Sequence, residues 1–146
     1  MNIDQIEAKH DRLQRYILLG ASVGSIGFAL QELVKLLDGP DSVYLLLTVV
    51  TLSGWLIGAW AMIATSSLVK EKGIENILKD ERLARIRGKS FEFGFAALLA
   101  TQIVLLVGND VLIKFTDVEL TVSFATNLSI AVAFVASLGR FVYLNR

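Results

Sequence analysis

The sequence predicts an all-α integral membrane protein: one domain, 1–146, folded as a four-helix bundle with both termini on the cytoplasmic side. Three observations predict it. Four long apolar runs divide the chain. Twelve of the fourteen Lys and Arg residues fall in, or at the edge of, three of the five hydrophilic stretches between and around those runs. The composition is 54% hydrophobic with mean hydropathy +0.60, against about 45–50% for a soluble domain.

The runs cover about 16–37, 43–69, 91–113 and 120–144. Each reaches the ~20 residues that cross about 30 Å of hydrocarbon. Backbone groups in lipid have no water to bond, so runs of this length are helices. The first run exceeds the h-region of a signal peptide and lacks small residues placed for cleavage, so it is expected to be retained as a span.

Charge then sets the orientation. Lys9, Arg12 and Arg15 precede the first run. Lys70, Lys72, Lys79, Arg82, Arg85, Arg87 and Lys89 lie in the 70–90 connector, and Arg140 and Arg146 lie at the far end. Only Lys35 and Lys114 fall on the other side. The positive-inside rule puts both termini and the connector in the cytoplasm. Tyr16, Tyr44, Phe91 and Tyr143 sit where interfacial belts belong, whereas Trp55 and Trp60 fall inside the second run and are expected to pack between helices.

Helices in lipid associate through small residues and interhelical hydrogen bonds. Each run carries such a stripe at alternating spacings of four and three: Gly20, Gly24, Gly27, Gln31; Thr51, Gly54, Gly58, Ala61, Thr65; Ser90, Gly94, Ala97, Thr101, Val104, Gly108; and Ala125, Ser129, Val132, Ala136, Gly139. A mean of 3.5 is the period of a left-handed seam, which predicts these faces inward. Gly20 and Gly24 also spell a GxxxG dimer face.

In the connector, Ile74, Ile77, Leu78, Leu83 and Ile86 recur at roughly helical spacing, and Glu75–Lys79 and Glu81–Arg85 are i,i+4 pairs in the favourable order. An amphipathic cytoplasmic helix is expected, broken near Gly88. Lys79, Arg82, Arg85, Arg87 and Lys89 make it a candidate contact for anionic lipid or a protein partner, beside the plainer reading of a solvated connector. Asp80-Glu81-Arg82, then Ile86, then Lys89-Ser90 leads straight into the third run. This pattern resembles a group of small prokaryotic four-span membrane proteins of unknown function. The motif covers residues 80–90 and the four-span layout covers the rest. The resemblance implies a prokaryotic inner-membrane protein and brings no catalytic residues.

Ionisable and amide groups at membrane depth are functional candidates. Glu32 leads, with Lys35 three residues on as its expected partner. Gln31, Gln102 and Asn127 each need a hydrogen-bond partner, as glue between helices or as a polar path. Arg140 is expected to snorkel to the near interface. No Cys is present and His10 is the one histidine, which excludes disulfides, thiol nucleophiles and histidine-rich metal sites. Balanced charge, 14 basic against 14 acidic, gives no nucleic-acid surface. No Ser or Thr has a base beside it. The sequence therefore reads as a non-enzymatic regulatory or accessory subunit needing no cofactor. The alternative is a small cation or proton transporter or channel, which requires a homo-oligomer to enclose a pathway.

Overall fold

The computed structural model describes residues 3–72, 81–116 and 120–145. They form four helices: α1 (Ile3–Leu36), α2 (Asp41–Lys72), α3 (Glu81–Thr116) and α4 (Val122–Leu144). Each is long and apolar enough to cross a bilayer. α1, α2 and α3 have 34, 32 and 36 residues. At 1.5 Å per residue they overshoot a 30 Å hydrocarbon layer by about 18–24 Å, so their charged ends lie beyond it.

The turns follow from local chemistry. α1 ends with Asp38 in the left-handed region at φ 49°. The amides of Gly39 and Asp38 reach back to the carbonyls of Val34 (2.8 Å) and Lys35 (3.3 Å), which satisfies two carbonyls the helix end would otherwise orphan. Pro40 follows and cannot prolong α1. Its carbonyl accepts from Val43 (3.0 Å) and starts α2. α4 is capped by Thr121, whose side chain accepts from the Phe124 amide at 3.1 Å. The Leu120 amide just ahead donates to Asn109 Oδ1 of α3 at 2.9 Å.

Neighbouring helices are antiparallel, and the spatial order is α2, α1, α4, α3. α1 packs along both α2 and α4, and α3 packs on α4. α1 is therefore the central helix: half of its most apolar window is buried, against 6% for α3. Much of the surface of α2 and α3 is large and apolar, including Leu45, Leu56, Ile63, Phe95 and Leu106. That is a liability in water and an asset in lipid.

The α1–α2 seam lies where the glycine spacing predicts. Gly20, Gly24, Gly27 and Gln31 are buried against Thr51, Gly54, Gly58 and Ala61. A Cβ on Gly54 would lie 2.5 Å from the Gly24 amide nitrogen, so the two backbones are in direct contact. The GxxxG pair is thus used inside the chain. The stripe extends further than expected: Ile6, His10, Leu13 and Ile17 continue the same spacing, with Leu13 and Ile17 packed on Ala61, Leu68 and Ala64. A second stripe on α1, Leu18, Ser22, Ser25 and Ala29, is also buried. Its Leu18 meets Phe141 of α4 and Ile86 of α3.

Three expectations need correction. Gly139 is exposed with open space beyond it, and Ser137 and Phe141 are buried instead. In α3 the seam is used only at its start: Gly94 contacts Ser137 and Ala133, while Val104 is 68% exposed and Gly108 meets nothing. Gly88 does not break the connector. α3 runs unbroken from Glu81 through Gly88 into the span, because good helix formers flank a glycine whose cost is about 1 kcal/mol. Of the 70–90 connector, residues 70–72 close α2 and residues 81–90 open α3. Residues 73–80 lie outside the described set.

Candidate functional site

Gln31, Glu32, Gln102 and Asn127 fall in separate places, and among the described residues no hydrogen bond joins any two of these four. Gln31 is buried, and its Nε2 donates to Thr48 Oγ1 of α2 at 2.9 Å. Thr48 in turn donates to the Tyr44 carbonyl at 2.9 Å. An amide in the α1–α2 seam is thereby satisfied across the interface, the use expected of polar glue. Glu32, one position on, turns away from the seam and pairs with Lys35 at 3.0 Å. The Lys35 ammonium also lies 5.4 Å from the centre of the Tyr44 ring, within cation–π range.

Gln102 lies on α3 and is exposed. It lines a groove of about 380 Å³ between α3 and α4, with Leu105, Leu106, Asn109, Leu120, Val122, Ala125 and Thr126. Asn127 is half-buried on α4. Gln31 and Glu32 thus belong to the α1–α2 pair, and Gln102 to the α3–α4 pair.

Trp55 and Trp60 lie on the surface of α2 against rings of α1, not enclosed between helices. The indole of Trp55 covers Gly24, where a Cβ would lie 2.6 Å from Nε1. It also meets Phe28 at 6.4 Å between centroids. Trp60 meets Tyr16 edge-on at 6.3 Å. Glycine on α1 makes the room that tryptophan on α2 occupies.

At the other end of the molecule, where α1 and α3 begin and α2 and α4 end, cations gather. Lys9, Arg12 and Arg15 on α1 and Arg85 and Lys89 on α3 are exposed. Arg87 is half-buried and held by a partner. Arg82 stands in the first turn of α3, and Lys79 lies outside the described residues. Arg140 on α4 lies 5.9 Å from the Phe93 ring and 5.5 Å from the Tyr143 ring. Its charge is therefore met by aromatic faces near the helix end.

Beneath these cations lies a polar junction of α1, α3 and α4 that composition alone did not reveal. Beside it, on the α1 stripe that continues the α2 seam, His10 is 3% exposed, and its Nδ1 has no hydrogen-bond partner among the described residues. Asp11 accepts from Asn145 Nδ2 at 2.7 Å, which ties the start of α1 to the end of α4. Its other oxygen is buried without a partner among the described residues. A cavity of about 40 Å³, lined in part by Gln14, Arg87, Ser90 and Ser137, is large enough for a water molecule. The signal for His10 was present in the spacing, since it stands four after Ile6 and three before Leu13. Nothing in the sequence announces the Asp11–Asn145 bond, which joins residues 134 apart.

Chemically, the arrangement offers a cluster of exposed cations at one end and two polar side-chain contacts between helices, Gln31–Thr48 and Asp11–Asn145. Comparison with protein-family models, with curated proteins and with solved structures finds no match to this chain.

Proposed function

We propose that the chain is a non-enzymatic subunit of a prokaryotic inner membrane, with both termini and the 70–90 connector in the cytoplasm. It works there as a small regulatory or accessory protein through its basic end. The observation that carries this reading is the set of exposed cations on that end: Lys9, Arg12, Arg15, Arg85 and Lys89 make no ion pair among the described residues. They stand on two different helices and face the same aqueous layer. Near an anionic surface each adds about 1 kcal/mol of attraction, so they act together with Lys79 and Arg82 as a contact for anionic lipid headgroups or an acidic protein surface. The transport alternative draws no comparable support, because Glu32 is paired with Lys35 and Gln31 with Thr48.

The test is replacement of Lys79, Arg82, Arg85 and Lys89 by Gln, with the half-buried Arg87 left in place. Tagged protein is recovered from native membranes in mild detergent, and its bound proteins and lipids are identified by mass spectrometry. The expected result is loss of one specific acidic partner or of anionic lipid enrichment, with the helical content unchanged. Identical co-purification by wild type and variant defeats the proposal. So does cation or proton flux in liposomes that depends on Glu32.

A further inference from the structure

We infer that α3 is a self-association helix, and that two copies of the chain pair through a stripe centred on Gln102. The carrying observation is the position of one amide. Gln102 is exposed and makes no hydrogen bond among the described residues. It lies seven residues before Asn109 and eleven after Phe91, about 10 Å and 16 Å along the axis. That places it inside the hydrocarbon layer. Lipid ester carbonyls stay at the interface, and acyl chains carry no hydrogen-bonding group. An amide at this depth leaves a donor and an acceptor unmet at a cost of about 1–3 kcal/mol each, unless another transmembrane helix supplies the partner.

A second copy is the occupant that fits. A primary amide donates and accepts at once, so it is complementary to itself. Two-fold pairing brings each residue on the axis against its own equivalent. The neighbours of Gln102 form the matching seam: Phe95, Leu99, Gln102, Leu106 and Asn109 alternate four and three, the spacing of a left-handed helix pair. Phe95, Leu99 and Leu106 are 62%, 44% and 72% exposed. α3 also has the face to spare. It contacts α4 at Gly94 but leaves a groove of about 380 Å³ in its outer half, lined by Gln102, Leu106 and Asn109. α1, by contrast, has already used its glycines on α2. The inference is independent of the basic end and of any partner bound there.

The chain has no cysteine, so single cysteines report without background. Leu99→Cys, Leu106→Cys, Ala100→Cys and Val104→Cys are each reconstituted in phosphatidylcholine vesicles and oxidised with copper phenanthroline. Covalent dimers are expected at 99 and 106 and not at 100 and 104, which lie on the opposite side of α3. In parallel, energy transfer between labelled copies is followed across protein-to-lipid ratios. Gln102→Leu is expected to weaken the dimer about 5- to 30-fold, and Gln102→Asn to retain it. Circular dichroism of the Leu variant separates lost pairing from lost folding. If that variant does not fold, the cysteine pattern in the native background still decides. A chain that stays monomeric at all ratios overturns the inference, whether water or a lipid fills the groove. Cross-links at 100 and 104, or a dimer indifferent to Gln102→Leu, overturn it equally.

Discussion

Gly20 of α1 and Gly58 of α2 touch backbone to backbone, yet the contact is not symmetric. A Cβ built on Gly20 would lie 2.5 Å from the Gly58 amide nitrogen, whereas one built on Gly58 would meet nothing nearer than 3.7 Å. Gly20 points into its neighbour and Gly58 points past it. Gly20→Ala therefore has to push the helices apart, at a cost typical of overpacking, about 1–3 kcal/mol. Gly58→Ala fits without movement and gains helix propensity, so it is expected to be neutral or to stabilise by about 0.4–1 kcal/mol. Unfolding in mixed micelles, followed by circular dichroism, measures both. Equal effects would show that the close approach is not made on this side.

The Gln31–Thr48 bond predicts coupling between two sites on different helices. Gln31→Leu leaves Thr48 still bonded to the Tyr44 carbonyl, and Thr48→Val leaves a buried amide unmet. Either change is expected to cost about 0.6–1.7 kcal/mol, and the double variant less than the sum. A double-mutant cycle on unfolding free energy reads the coupling directly. Strict additivity would mean that the amide finds another partner.

The four helices and the α1–α2 seam were legible because lipid imposes both. Length and hydropathy give the spans, and the glycine spacing on α1 and α2 has one good use. α3 and α4 were less legible for a physical reason. A small residue marks a close contact only when a partner stands opposite, and Gly108 and Gly139 have open space beyond them. The Glu32–Lys35 pair could be read from a separation of three along one helix. The Asp11–Asn145 bond could not, because it depends on which helices lie side by side. The order α2, α1, α4, α3 follows from the second stripe on α1, whose Ser22 and Ser25 do not stand out as apolar residues.

Gly88 gives a prediction from an expectation that failed. It lies within a continuous α3 and nothing stands within 4 Å of the Cβ it lacks. Gly88→Ala should therefore stiffen the junction between the basic turn and the span, and stabilise by about 0.4–1 kcal/mol. Gly88→Pro should break the helix there at a cost of about 3 kcal/mol or more. Hydrogen exchange of the amides from 84 to 92 distinguishes the outcomes. Slower exchange with Ala is expected, and faster exchange would mean that the glycine is needed as a hinge.

Asn145 is the C-cap of α4, with its amide on the Phe141 carbonyl at 3.1 Å and its side chain on Asp11 at 2.7 Å. Phe141 is 2% exposed and packs with Leu18 and Ile86. The bond thus fastens the last turn over the place where α1, α3 and α4 meet. One Asp11 oxygen already has no partner among the described residues, so Asn145→Ala leaves the carboxylate with neither oxygen met. The expected loss is about 1.5–3 kcal/mol, the range for hydrogen bonds to charged groups. Asp11→Ala combined with Asn145→Ala should be less destabilising than the sum of the single changes, because Asp11→Ala removes the charge that Asn145→Ala strands. Unfolding free energies of the three variants check this, and exchange rates for 141–144 locate it. If Asn145→Ala leaves both unchanged, the end of α4 is held by Phe141 alone.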